Sequence, residues 1–516
     1  MNNIFFEPYK DTFDSSIPFS KITADMYEPA VDRGIDKALA EVEAISNNPE
    51  PADMENTIRA LDRAGEDLDR VLMAFEPLTS AMSSDEMMEI DMRISPKLTR
   101  FSLAIAMNER LWKRVKDVYD MRHTLDLDSE DRMLLENRYF GFIRNGALLE
   151  GADRERFKDI ASEISELTTK FGNNVLSELN ATTVDISCTE ASGISDDLID
   201  NARKKSTEEG ALRFGLDQPT YMAVMKSADL ESVRKKFYLA YCGRNIGGDF
   251  DNLGVLSRIA VLRRESAALL GFDNAASMIV ERNMAHTPGN VMKLLNELRE
   301  AYSGPLKQEL AELKEFAGRE LNPWDYSYFA NKLRQERYNL DEEELRPYLP
   351  LNRVVDAMLA LAGKLYGISF KETDRVEKYH PDVRVFEVCD SDDSYIGLLY
   401  MDFFTRESKR PGAWMTEFRS QRHEPDGTDV RPHITIVTNF APPAGDKPAL
   451  LRPREVETLL HEFGHSLHGL LSKCRYASTS GTNVRRDFVE LPSQMNEGFA
   501  TRKEFLETAG FHYATG

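Results

Sequence analysis

The sequence is short of cysteine and of basic residues, and it has no long apolar run. Its four cysteines, Cys188, Cys242, Cys389 and Cys474, are widely spaced and form no C-x-x-C pair. That excludes a disulfide scaffold and predicts four buried free thiols in a reducing compartment. Cys474, soon after His465, has no thiolate role that spacing alone supports. Against 87 acidic side chains stand 65 basic ones, a net charge of −22. Such a surface repels phosphate backbones and anionic membranes, so nucleic acid is not expected as a partner. No apolar stretch of about 18 residues occurs, and Met1-Asn2-Asn3-Ile4-Phe5-Phe6-Glu7-Pro8 lacks a basic region followed by an apolar one. No membrane span and no signal peptide are expected, and the reading is a cytoplasmic protein. Fixed-period repeats and low-complexity tracts are also missing.

What is present is mostly helical text. With 516 residues the chain exceeds what one core usually supports, so two or more lobes are expected, divided softly near residue 228 into an N-terminal helical region (1–228) and a catalytic domain (229–516). Residues 53–128 are rich in Leu, Met, Ala, Glu and Arg, with apolar side chains at helical spacing, as in Ile58, Leu61, Leu68, Val71, Leu72 and Phe75. The same pattern covers 153–179, 231–270, 288–313 and 354–366. The fold class is therefore mainly α. Three short β-branched and aromatic runs, 383–389, 395–401 and 433–439, predict a small sheet just before the chemistry. The intervening Asp390-Ser-Asp-Asp-Ser394 superficially resembles a calcium loop. Tyr395 and Met401 stand where such a loop needs Gly and Glu, so an acidic hairpin turn is expected.

From Pro453, which suits a first helical turn, apolar residues recur at 456, 460, 463, 467 and 470. At about 100° per residue, His461 and His465 share a face roughly opposite that stripe. Two imidazoles at i and i+4 suit one tetrahedral Zn²⁺, and Glu462 between them is placed to act as general base on water. Alone, H-E-x-x-H also arises by coincidence on a solvated helix. Glu490 strengthens it as a third candidate ligand near the start of a second predicted helix, because two histidines and one carboxylate leave a position open, as catalytic sites require. Gln494 and Glu497 follow at i+4 and i+7, where they either orient the ligands or are simply solvated. His468 is expected to be a packed histidine, since a fourth protein ligand would close the site.

These segments resemble a known family. His461-Glu-Phe-Gly-His-Ser-Leu-His468, Arg475-Tyr-Ala-Ser-Thr-Ser-Gly-Thr-Asn483 and Arg486-Asp-Phe-Val-Glu-Leu-Pro-Ser-Gln494 are similar to the thimet oligopeptidase family of zinc metallopeptidases, most of all to its peptidyl-dipeptidase branch. Asn56-Thr-Ile-Arg-Ala-Leu61, Phe171-Gly-Asn-Asn-Val175, Asn322-Pro-Trp-Asp-Tyr326, Lys409-Arg-Pro-Gly-Ala-Trp-Met415 and Asn439-Phe-Ala-Pro-Pro443 carry the likeness along the whole chain. The resemblance implies a two-lobed helical metallopeptidase with a deep channel and a small sheet beside the zinc. It implies one Zn²⁺ per chain on His461, His465 and Glu490, with Glu462 as base, and short peptides as substrates. Removal of C-terminal dipeptides is the expected mode. Internal cleavage by the same fold, or a zinc-binding but silent chain, are the competing ones.

Recognition of a substrate carboxylate makes Lys409, Arg410, Arg485 and Arg486 candidates by charge, although each taken singly is better read as a solvated surface cation. The family text also continues past the zinc helices, into a Gly-rich loop and tyrosines that bind substrate and stabilise the oxyanion. The chain is thus expected to be truncated at its C-terminus, with those donors beyond Gly516. Tyr476, His512 and Tyr513 are the nearest stand-ins. Oligomeric state is not legible.

Overall fold

The computed structural model describes residues 4–7, 9–338, 342–443 and 445–516. Residues 1–3 and 8 of the N-terminal stretch read above lie outside them. The chain forms two compact units. One comprises 1–166, 266–273 and 345–516, and the other 167–265 and 274–344, so the boundary expected near 228 falls inside the second. The fold is mainly helical. Among the described residues, no helix is long and apolar enough to cross a membrane.

The first unit is built on a sheet with helices on both faces. Its elements include helices α1 (Tyr27–Ser46), α2 (Glu66–Ala81), α3 (Asp85–Ala106), α4 (Glu109–Asp120), α5 (Ser129–Arg144) and α6 (Leu351–Tyr366). Strands β1 (Ser369–Glu372), β2 (Arg384–Cys389), β3 (Tyr395–Phe404), β4 (Trp414–Arg419) and β5 (His433–Phe440) follow. Helices α7 (Pro453–Leu470), α8 (Glu490–Glu497) and α9 (Lys503–Ala509) complete it. The strand order is β1-β2-β3-β5-β4, with β3 and β5 parallel and the other pairs antiparallel. Three strands lie over the runs expected to hold them, while β1 and β4 were not anticipated.

Side-chain alternation explains why β3 reads as one continuous apolar run. Leu399, Met401 and Phe403 point into a core shared with α6, α7 and α9. Leu398 and Tyr400 point into a second core, against the N-terminal segment and α1 to α3, with Phe5, Tyr27, Phe75 and Ile90. Residues 390–394 make the expected acidic turn, in which the Asp390 N–H donates to the Ser394 carbonyl at 2.8 Å.

The second unit contains an antiparallel pair, Thr183–Ser187 with Ala211–Gly215, also unanticipated. Val184, Ile186, Leu212 and Phe214 pack there against helix residues Val224, Val233 and Phe237. Asp325, within the Asn322-Pro-Trp-Asp stretch, pairs with buried Arg234 at 2.7 Å. All four cysteines are free, but the expectation of burial is corrected: Cys188 and Cys242 are exposed, and Cys389 and Cys474 are half-buried. A short, polarisable side chain tolerates either setting.

Candidate metal centre

Helix α7 begins at Pro453, and the backbone N–H of Arg452 donates to the Glu455 carboxylate at 2.7 Å, which closes the first turn. Val456, Leu460, Phe463, Leu467 and Leu470 are all buried, as their spacing requires, and Leu459 joins them. The helix rests on the sheet at Gly469, where a Cβ would come within 2.7 Å of Ile434 Cδ1 and 3.0 Å of Met415 Cε. On its other side Gly464 admits α8. A Cβ there would lie 2.7 Å from Ser493 Cα and 2.8 Å from the Pro492 carbonyl. Asn496 then clasps the two helices by donating to the Leu460 carbonyl at 2.5 Å.

This close approach brings the three candidate donors together. Glu490 Oε2 lies 3.3 Å from His461 Nε2 and 3.2 Å from His465 Nε2. One donor atom from each residue lies within 4.8 Å of the others. The set fits a metal: donors at about 2.0–2.1 Å from a tetrahedral zinc ion are separated by about 3.3 Å along each edge. The imidazoles stand nearly perpendicular, at 84°, with centroids 4.9 Å apart, so their nitrogens converge without stacking.

The neighbours of the donors differ. Glu497 Oε1 lies 2.5 Å from His461 Nδ1, so Nδ1–H donation there leaves the Nε2 lone pair directed at the site. Gln494, the other residue named for this duty, is exposed and, among the described residues, has no hydrogen bond to the donors. Ser493 was missed; its hydroxyl donates to Glu490 Oε2 at 3.0 Å. Its i+3 spacing from Glu490 was the available signal. His465 Nδ1 is buried without a hydrogen-bond partner among the described residues. Burial lowers its pKa and favours the neutral ring that ligates metals. Glu462 is 5% exposed. Burial pushes its carboxyl up to about 7, with His461 and a backbone hydrogen bond from Met415 opposing and the Glu490 charge adding.

The remaining candidates are placed elsewhere. His468 does not join the donor cluster and lines a cavity of about 480 Å³ with Cys474 and Met495, none of the donors contributing to its wall. Tyr476 is buried, its hydroxyl held by Arg59 and Asp131. His512 packs its ring against Tyr348 and Tyr513. Lys409 is corrected as a candidate for substrate carboxylates: its ammonium is buried against Asp402 at 2.7 Å. Burial pushes the Asp402 carboxyl up, but hydrogen bonds from Arg406 and Lys409 overcome it and hold it low. Arg410 is half-buried, Arg485 donates to Asn137 at 3.0 Å, and Arg486 is exposed.

Several known proteins are similar to this chain along most of its length. The dipeptidyl carboxypeptidase of Escherichia coli (strain K12) is 36% identical over 510 residues, covering 96% of this chain and 74% of that protein. The oligopeptidase A of Salmonella typhimurium is 34% identical over 513 residues, covering 97% and 75%. Among solved structures, PZ peptidase A in complex with an inhibitor has the same fold, with a TM-score of 0.54 at 13% identity over 95% of this chain and 72% of that one. The pattern of peptidase family M3 matches residues 224–516, a span that holds the whole donor cluster, and the chain belongs to that family of metallopeptidases.

Proposed function

We propose that the chain hydrolyses short peptides with one zinc ion held by His461 Nε2, His465 Nε2 and Glu490, and with Glu462 as the general base. The observation that carries this reading is the convergence of three donor atoms from two helices, all within 4.8 Å of one another, with Glu490 Oε2 at 3.2–3.3 Å from both imidazole nitrogens. Zinc on such a set supplies Lewis acidity towards the scissile carbonyl and acidifies water. The Glu462 carboxylate takes the proton from the attacking water and returns it to the leaving amine nitrogen. Glu497 and Ser493 hold His461 and Glu490 in place for this.

Release of C-terminal dipeptides is the favoured mode. Internal cleavage is the second reading, because the relatives include proteins named for each. Of the cations considered for a substrate carboxylate, Arg486 is the exposed one. Cytoplasmic action accords with four free thiols.

Replacing Glu462 tests the assignment, since a base that is not a ligand can be lost without the metal. Glu462→Gln should keep one zinc per chain while kcat/KM falls by about 10²–10⁴. Metal analysis of His461→Ala, His465→Ala should show none; a zinc content equal to wild type would sink the ligand assignment.

A further inference from the structure

Residues 471–489 connect the helix that carries both histidines to the one that carries Glu490, and their only regular element is a single 3-10 turn, Ala477–Thr479. Their course is set from outside, by α5. That helix starts under the Asp128 cap and presents Glu130 in its first turn. Glu130 Oε1 accepts the backbone N–H of Arg475 at 2.8 Å, that of Tyr476 at 3.2 Å and the Thr479 hydroxyl at 2.9 Å. The next residue, Asp131, accepts the Tyr476 hydroxyl and the Arg59 guanidinium, at 2.9 and 3.1 Å to its two oxygens. Arg59 Nε donates back to the Tyr476 hydroxyl at 2.8 Å, and the tyrosine ring sits in a core with Leu111, Leu134 and Phe142. Further along α5, Asn137 accepts from Arg485, whose own carbonyl accepts the N–H groups of Phe488 and Val489 at 2.9 and 3.1 Å. That turn leads directly into Glu490.

A helix of eight residues is too short to hold itself, and Glu490 is its first residue, with a half-exposed side chain. The contact at Gly464 and the Asn496 clasp fix the body of α8 on α7, and the placement of its first residue depends in addition on what anchors the preceding loop. We infer that α5 is a positioning element of the metal centre: Glu130, Asp131 and Asn137 fix residues 475–489 so that Glu490 meets His461 and His465. This rests on the ligand assignment proposed above. None of the three touches a donor, and each acts through the loop.

The full chain is the test object, in the variants Glu130→Ala, Glu130→Gln and Tyr476→Phe. Zinc affinity by chelator competition and amide exchange over 475–489 are read beside kcat, KM and the melting temperature. Glu130→Ala should bind zinc about tenfold more weakly or worse, the range seen when partners of metal ligands are lost. Its loop amides should exchange faster, and kcat should fall with KM unchanged. Glu130→Gln keeps an oxygen that accepts the same three donors, so it should recover most of the affinity. Tyr476→Phe keeps the packed ring and loses only the hydroxyl, and it decides the matter if Glu130→Ala does not fold. Wild-type zinc affinity and loop exchange in Glu130→Ala, or in Tyr476→Phe where that variant decides, overturn the role of α5 while leaving the metal centre intact. Zinc retained by His461→Ala, His465→Ala refutes the ligand assignment itself, and the inference with it.

Discussion

Without the Glu497 carboxylate, Nδ1 of His461 would lose its acceptor and the ring would be free to choose either tautomer or to turn. Only one of those arrangements directs an Nε2 lone pair at Glu490. Glu497→Ala should therefore weaken zinc binding by about 10–100-fold, and Glu497→Gln by less, because an amide oxygen still accepts from Nδ1. Chelator competition measures both, and an affinity unchanged in Glu497→Ala would reduce Glu497 to a bystander. At this scale the donors were legible because helical spacing alone puts His461 and His465 on one face, and Glu490 opens a recognisable segment. The same arithmetic named Gln494 and Glu497 together but could not separate them, since the angle between α7 and α8 decides which one reaches His461. Glu130 was illegible, because its partners Arg475, Tyr476 and Thr479 lie far along the chain.

The two helices that carry the proposed ligands meet at Gly464, and their spacing is an element-scale property. Gly464→Ala places a methyl group 2.7 Å from Ser493 Cα, backbone that no rotamer change can clear. Overpacking of this kind costs about 1–3 kcal/mol, and α8 must retreat to relieve it. We expect lower thermal stability together with weaker zinc binding. A variant that loses stability alone would show that α8 does not set the geometry of the site.

Strand β5 is anchored differently. His433 is buried, with Nε2 at 3.0 Å from Asp14 Oδ2, and Arg419 Nη1 donates to the Asp14 carbonyl at 2.5 Å. Burial pushes the His433 imidazole down to about 4, with Arg419 adding to the shift. The folded ring thus takes up a proton less readily than the unfolded one, whose pKa is about 6.5. Its contribution is complete above that value and is lost as the pH falls towards 4, by up to about 3 kcal/mol. The melting temperature of wild type should drop more steeply over this window than that of His433→Gln, and parallel curves would refute the assignment. The strands recognised in advance, β2, β3 and β5, are those buried in the cores, whose apolar runs stand out. Strand β1 is largely exposed and β4 largely half-buried, and residues such as Lys371 and Glu417 broke the pattern.

At the scale of the whole molecule the open question is which end of a peptide is read. If dipeptides leave from a free C-terminus, a peptide and its C-terminally amidated twin should differ in rate by an order of magnitude or more, since charge-assisted contacts to a carboxylate are among the strong ones. Mass spectrometry of the two digests, with and without chelator, decides it. Equal rates and identical cut positions would favour internal cleavage.

The strand order has a consequence for synthesis. β5 is made after β4 yet lies between β4 and β3, so β3 leaves the ribosome with the edge it will share with β5 unpaired. At about 5–20 residues per second that edge stays open for a few seconds while residues 405–440 are translated. It belongs to one of the most apolar strands in the chain, a ready template for pairing with the wrong partner. The N-terminal helices are already available to shield one face of the nascent sheet, whereas on the other only α6 has been made, and α7 and α9, which share that core, are translated only after β5. Chaperone demand should therefore concentrate in this interval, and the metal centre, which stands on the finished sheet, forms only once it has passed.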